Sequence, residues 1–290
     1  MMEGLSYIAG TELPVVLIDV VRGGPGLGNI APSQGDYNQI VHGGGHGDYH
    51  PIVLAPSSVQ EAIDYVYMAF DLAEKYRSIV IVMVDGNIGQ MMEPTEMPPM
   101  RPIKTEYPEW AVRGAQDREH RVLTSIFIDP PQEEVVNFKL AKRWIEIEAN
   151  EIRYKEYYMD DAEFAVIGFG TAGRISLSAI RAARAQGIKV GLFRPISLSP
   201  YPYKQVEALS KKVKKILVVE MNAGQMLEDV QKAAKGRIPL AFYGRMGGIT
   251  PFPDEILNEI HRLAEEDIPL DADPRHRWLE RSDEILYGSN

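Results

Sequence analysis

Residues 20–49 read VVRGGPGLGNIAPSQGDYNQIVHGGGHGDY: an arginine, a glycine run, a Gln-x-Asp group and a second glycine cluster around a histidine. Gly23, Gly24, Gly26 and Gly28, then Gly43, Gly44, Gly45 and Gly47, are more glycines than turn-making alone requires. Such loops can bring bare backbone against a ligand. Arg22, Gln34, Asp36, His46 and Asp48 all fall inside this stretch, a concentration of functional side chains that surface connections seldom show. The stretch therefore reads as a binding edge, against the blander reading of two irregular surface connections. His42, His46 and His50 stand at four-residue steps, as metal ligands on a helix would. The glycines between them disfavour a helix, and no carboxylate pair completes a coordination geometry, so no metal is expected here.

Two further constellations carry competing readings. Gly168-Phe-Gly170-Thr-Ala-Gly173 matches G-x-G-x-x-G between an expected strand and an expected helix, the context of a dinucleotide site. The acidic residue that should follow about twenty positions on is absent. Arg194 stands in that region instead and at best greets a 2′-phosphate, so a tight structural turn competes with an NAD(P) site. Glu220-Met-Asn222-Ala-Gly224-Gln225 lies between a strand and a helix, where its polar groups either reach a ligand or partner, or simply cap the helix.

The elements that must position these residues follow a βα rhythm. Pro14–Val20, Pro51–Leu54 and Ser78–Val84 are apolar runs of the kind buried in a parallel sheet. Residues 1–10 read as the end of a helix, and Asp36–Val41 as a short one. Ser58 with Glu61 forms a capping box before an amphipathic helix to Lys75. Residues 86–131 are a proline- and methionine-rich connector, and Gln132–Tyr158 reads as one long, charge-laced helix. A second α/β unit follows: strands Phe164–Phe169, Lys189–Phe193, Ile216–Glu220 and Pro239–Tyr243, alternating with helices from Ala172, Tyr203 and Gln225, and a closing helix from Pro253. Little is assigned beyond Asp267. The expectation is two doubly wound α/β domains, with ligands at the C-terminal strand edges.

Composition narrows the classes. A net charge of −10 over 290 residues, with no basic cluster, argues against a dedicated nucleic-acid binder. The absence of cysteine excludes disulfides, a zinc ribbon, a cysteine nucleophile and an iron–sulfur cluster held by this chain. No apolar run reaches the roughly 18 residues that span a bilayer and no signal peptide stands at the start, so a cytoplasmic location without membrane contact is expected.

The stretches EGLSYIAGTELP, RGGPGLGNIAPSQGDY, GGGHGDY, LAPSSVQEA, GQMMEP, RPISLSPYP and EMNAGQM resemble the alpha subunits of 2-oxoacid:ferredoxin oxidoreductases. The wording RGGPGLGNIAPSQ resembles the branched-chain, 2-oxoisovalerate type more than the 2-oxoglutarate type. The resemblance implies a pyrimidine-binding domain of the thiamin enzymes over 1–104, a linker and long helix over 105–160, a transketolase C-terminal-like domain over 161–265 and an extension over 266–290. It implies oxidative decarboxylation of a 2-oxoacid to acyl-coenzyme A and carbon dioxide, with reduction of ferredoxin. Thiamin diphosphate would be shared with a diphosphate-binding beta subunit. Magnesium and iron–sulfur clusters would sit in that and other partners, such as a gamma or ferredoxin-like subunit. Arg22 falls at the family arginine that approaches cofactor and substrate carboxylate, a role suited to a guanidinium fork. Gly23, Gly24, Gln34, Asp36, His46 and Asp48 are then expected around the cofactor. Family members carry a longer first domain whose N-terminal part holds the glutamate that activates the cofactor, and Glu3 is no replacement for it. The resemblance thus implies a shortened first domain and a chain inactive alone, with a purely assembling or binding module, or an NAD(P)-binding protein, as alternatives.

Overall fold

The computed structural model describes residues 2–103 and 105–287. The expected domain edge at residue 104, and residues 288–290 of the expected extension, lie outside the described residues. In chain order the elements are α1 (Met2–Gly10), β1 (Val15–Val21), β2 (Ile52–Leu54), α2 (Val59–Tyr76), β3 (Ile79–Asp85), α3 (Gly86–Gln90), α4 (Pro130–Asn150), β4 (Tyr154–Tyr157), β5 (Phe164–Ile167) and α5 (Gly170–Ala185). They continue as β6 (Val190–Pro195), β7 (Ser197–Ser199), α6 (Tyr203–Lys212), β8 (Lys215–Glu220), α7 (Gln225–Ala234), β9 (Leu240–Gly244), α8 (Pro253–Glu265), α9 (Pro274–Leu279) and α10 (Ser282–Tyr287). The expected two-domain α/β organisation is present.

The first sheet has the order β1-β3-β2-β7. β3 pairs in parallel with strands on both sides and is buried along its whole length, as its unbroken apolar run requires. α2 covers one face. The expected capping box is only half formed: the Ser58 side chain accepts from the Glu61 amide, but the Glu61 carboxylate accepts from the Ser57 amide at 2.9 Å rather than from that of Ser58. β7 departs from a purely parallel sheet, because it belongs to the second half of the sequence and pairs antiparallel with β2. The two halves thus share a sheet edge, and one hydrophobic core runs from Val21 and Ile81 to Leu217 and Phe242. A buried bidentate ion pair, Arg194 to Glu61 at 2.6 and 2.9 Å, crosses the same seam. Arg194 is therefore committed to α2 and greets no 2′-phosphate.

The second sheet has the order β4-β6-β5-β8-β9, parallel except for β4. β4 corrects the expected long helix. α4 ends at Asn150 because Glu151 turns inward, where its carboxylate accepts from Tyr76 Oη at 2.6 Å and Lys75 Nζ at 3.0 Å. Tyr154 then stacks on Phe193 at 5.0 Å, which favours a strand over continued helix. The expected short helix after Asp36 is instead a single wide turn, Asn38–His42, of the π type. The described residues of 91–129 form no helix or strand; those around Glu96 lie along α2, with Gln60 and Glu96 exchanging bonds of 2.7 and 3.0 Å. Beyond Asp267, Asp273 caps α9 through the Arg275 and His276 amides, and Trp278 packs edge-on against Phe242.

Candidate functional site: a cleft between the two domains

The loop after β1 is shaped by close backbone approaches. Gly28 has φ +46°, and a Cβ there would lie 2.0 Å from the Gly23 carbonyl oxygen, so only glycine closes the loop. Arg22 props it from inside: its guanidinium donates to the Gly23, Leu27 and Asn29 carbonyls. Among the described residues it has no carboxylate at ion-pair distance. Its nearest partners are carbonyl dipoles, with the Asp36 carboxyl within reach of its charge.

The opposite wall comes from the second domain. Gln34 and Met221 exchange bonds through the Met221 carbonyl and amide, each 3.0 Å. Asn222 Nδ2 donates to the Gln34 carbonyl at 2.9 Å, Gln225 Nε2 donates to the Gly35 carbonyl at 2.8 Å, and the Asn38 amide donates to Gln225 Oε1 at 2.7 Å. Asn29 Nδ2 reaches the Gly247 carbonyl at 2.7 Å. Between these walls lies a cleft of about 560 Å³, lined by Arg22, Gly23–Gly26, Asp36 and Gln39 from the first domain and by Met221–Ala223, Gln225, Met246 and Gly247 from the second. It opens at the C-terminal ends of β1, β8 and β9, where doubly wound sheets bind ligands. Burial raises the Asp36 carboxyl above its ordinary range, partly offset by the Arg22 charge. Behind it, Asp19 on β1 is pushed up to about 6 by burial and by the Asp36 charge, and its Oδ2 is buried without a hydrogen-bond partner.

The residues expected around a cofactor separate into three places. Arg22, Gly23, Gly24 and Asp36 line the cleft. Gln34 is fully buried and joins the domains: its Nε2 donates to the Phe169 carbonyl at 3.0 Å and to Asp85 Oδ2 at 3.3 Å. His46 and Asp48 face a different groove of about 190 Å³, against α1 and α4, where the His46 amide donates to Ser6 Oγ at 2.8 Å. The structure does not bring them to Arg22. The three histidines also part: His42 bonds Asp229 Oδ2 at 2.8 Å and His50 packs at a tilt against Trp144, ring centroids 4.6 Å apart. Among the described residues no three His, Cys, Asp or Glu side chains gather as a metal site.

The G-x-G-x-x-G turn is occupied from within. The Asp85 carboxylate accepts from the Thr171 amide at 2.7 Å and the Thr171 hydroxyl at 2.6 Å, taking the place at the α5 N-terminus that a pyrophosphate would fill. Gly170 has φ +53°, and a Cβ on it would lie 2.5 Å from Asp85 Oδ2, while one on Gly173 would lie 2.5 Å from the Gly168 carbonyl oxygen. Gly170 serves interdomain packing and Gly173 the tight turn within the second domain, which removes the dinucleotide reading. At the next crossover Glu220, buried and raised to about 7 by desolvation, caps α7 through the Met226 and Leu227 amides. Asn222 Oδ1 accepts from the Gly224 and Gln225 amides at 2.8 and 3.0 Å. That constellation caps the helix and also walls the cleft. Met246 and Gly247 went unread in the sequence. Their signal is Gly247-Gly248, both at positive φ, just past the end of β9.

The residues present fit part of a thiamine cofactor. Asp36, Gln39 and the exposed loop amides suit the hydrogen-bonding edge of an aminopyrimidine. Among the described residues Arg22 is the one cation lining the cleft, too little for a diphosphate.

Residues 1–159 match the family described as pyruvate flavodoxin/ferredoxin oxidoreductase, thiamine diphosphate-binding, and residues 162–259 match pyruvate:ferredoxin oxidoreductase core domain II. The chain is 46% identical over 262 residues to the ketoisovalerate oxidoreductase subunit VorB of Methanothermobacter thermautotrophicus, covering 90% of this chain and 74% of that protein. It is 33% identical over 287 residues to the 2-oxoglutarate synthase subunit KorA of Methanothermobacter marburgensis, covering 90% of this chain and 76% of that one. A solved 2-oxoglutarate:ferredoxin oxidoreductase from Magnetococcus marinus, with 2-oxoglutarate, coenzyme A and succinyl-CoA bound, shares the fold at TM-score 0.75 and 24% identity, over 91% of this chain and 51% of that one. With a thiamine diphosphate-binding domain at one wall of the cleft and core domain II at the other, the chain belongs to the family of 2-oxoacid:ferredoxin oxidoreductase subunits.

Proposed function

We propose that this chain is the alpha-type subunit of a hetero-oligomeric 2-oxoacid:ferredoxin oxidoreductase, oxidatively decarboxylating a 2-oxoacid to acyl-coenzyme A and carbon dioxide. The observation that carries the reading is Arg22: a guanidinium at the cleft, held by backbone carbonyls and paired with no carboxylate among the described residues. An incoming 2-oxoacid carboxylate exchanges those neutral acceptors for a charged, bidentate one. Thiamine diphosphate, when bound, supplies the decarboxylation chemistry at the 2-oxo carbon. The chain's own residues then bind and orient: Arg22 fixes the carboxylate, and Asp36 and Gln39 offer hydrogen bonds from the lining. Gly23 and Gly24 bring backbone close to the ligand. Gln34 sets the spacing of the two walls rather than touching the ligand.

Partner subunits complete the assignment: a beta subunit for the diphosphate and magnesium, and a gamma or ferredoxin-like subunit for the iron–sulfur clusters, with ferredoxin as electron acceptor and cytoplasm as setting. This division of labour is supported by a cysteine-free chain and by a cleft with a single cation among the described residues. We assign 1–104 to the pyrimidine-binding domain, 105–160 to the linker and α4, 161–265 to core domain II and 266–290 to an extension. No described helix is long and apolar enough to cross a membrane. The test is affinity purification of the tagged chain from its native cells, with mass spectrometry of co-purifying subunits and an assay of 2-oxoacid-dependent ferredoxin reduction by the recovered complex. Recovery of a thiamine-binding partner and a cysteine-rich partner, with turnover, is the expected result. Recovery of the partners with no 2-oxoacid turnover would make the chain an assembly module.

A further inference from the structure

The cleft contains two large apolar side chains, Met221 and Met246, and both come from the second domain. Met221 is closed in, 1% exposed, whereas Met246 remains 49% exposed on the turn that follows β9. That turn is pinned beside the Arg22 loop. Asn29 Nδ2 holds the Gly247 carbonyl at 2.7 Å, and a Cβ on Gly248 would lie 2.4 Å from the Ala31 Cβ. Gly247 at φ +64° and Gly248 at φ +95° give the chain its sharp return there. The other lining side chains of any reach, Asp36, Gln39, Asn222 and Gln225, are acidic or neutral, so among the described residues Arg22 is the one cation there. Once Arg22 holds a carboxylate, the described residues of this chain offer the cleft no second cation for another. What it offers the rest of the substrate is a flexible thioether that moulds to irregular apolar shapes.

We infer that Met246 is a specificity-determining residue, selecting 2-oxoacids with a branched, uncharged aliphatic side chain over those with a second carboxylate. The inference rests on the 2-oxoacid reading above and adds to it a side-chain contact from the domain opposite Arg22. Loss of the thioether removes apolar contact with the substrate, and a cation in its place supplies the missing partner for a distal carboxylate.

The test uses the complex purified with its partner subunits, carrying the wild-type chain, Met246→Ala, Met246→Leu or Met246→Lys. Two readouts are taken: kcat/KM for 2-oxoisovalerate and for 2-oxoglutarate, and calorimetric binding of the unreactive analogue 2-hydroxyisovalerate. Met246→Ala is expected to lower kcat/KM for 2-oxoisovalerate and analogue affinity by roughly 10-fold, the size of a few lost methylene contacts, leaving 2-oxoglutarate nearly unchanged. Met246→Leu is expected to keep the wild-type preference, and Met246→Lys to shift the ratio toward 2-oxoglutarate by roughly 10-fold or more. An unchanged substrate ratio and analogue affinity in all variants would overturn the inference while leaving the functional reading intact. A wild-type complex that neither oxidises any 2-oxoacid nor binds the analogue would overturn both.

Discussion

Arg22 and the acids below it form a small electrostatic unit in which a cation is met by dipoles and two carboxyls are crowded against burial. Asp19 is the extreme member, raised to about 6 from an ordinary 3.8, with one oxygen buried and unpartnered. The folded chain holds that proton to higher pH than the unfolded chain does. Asp19 therefore supports the fold at low pH, and its contribution is lost as pH rises from about 3.8 through about 6. Asp19→Asn removes the buried charge, so at pH 7.5 the variant is expected to be more stable, by on the order of 1–2 kcal/mol. At pH 4 the two chains should agree in urea titrations. A variant no more stable at pH 7.5 would show that Asp19 ionises in water rather than in the protein interior. At this scale the sequence was informative about types and poor about directions. Arg22 and Asp36 stood out by their setting and do line the cleft. Gln34 stood out equally, yet its side-chain partners lie 51, 135 and 187 positions away, and no local spacing shows where such a side chain points.

The turn into α5 shows how a motif with the right letters serves another purpose. A helix N-terminus attracts an anion, and here the anion is Asp85, contributed by β3 from 86 positions upstream. The same carboxylate caps α3 through the Ile88 amide at 3.2 Å, so one residue finishes two helices across the domain seam. Asp85→Ala strips the cap from both and leaves the Thr171 hydroxyl without its acceptor. It is expected to destabilise the chain by about 2–4 kcal/mol in denaturant titrations. A loss below about 0.5 kcal/mol would be that of an exposed surface residue and would contradict this role. Most elements were legible because apolar runs and 3.6-residue periodicity are local signals, as in β3 and α2. β4 was not, since its charges fit a helix face as well as an edge strand. What decides the matter is Phe193, nearly forty residues on, which stacks on Tyr154.

Across the molecule, the cleft exists only while the domains stay docked. One of the ties is a half-exposed histidine. His42 ends the wide turn beyond the Arg22 loop and bonds Asp229, a buried acid on α7 that also accepts from Tyr37 and Tyr203. Its pKa is raised, chiefly by that hydrogen bond and against the cost of burial, with Lys232 opposing and Glu228 assisting. A raised folded value means the tie contributes fully below the ordinary 6.5 and fades as pH climbs through the raised value. The ring is 43% exposed, so solvent screening holds the effect to about 0.5 kcal/mol. Wild type should therefore exceed His42→Ala in stability by more at pH 6 than at pH 8.5. An equal gap at both would leave the tie uncharged. The two-domain plan was readable from the repeated βα rhythm, and the family from its motifs. The joint cleft was not, because the wall from Met221 to Met246 is distant in sequence from the loop it faces.

The central claim is that Arg22 binds the 2-oxoacid carboxylate. The most direct measurement is kcat/KM for a branched-chain 2-oxoacid in the assembled complex, comparing wild type with Arg22→Ala at matched cofactor loading. Loss of a charge-assisted pair of hydrogen bonds, about 1.5–3 kcal/mol, predicts a fall of roughly 10- to 150-fold with the complex still assembled. Turnover and KM indistinguishable from wild type would contradict the claim and leave the cleft without its anion-binding group.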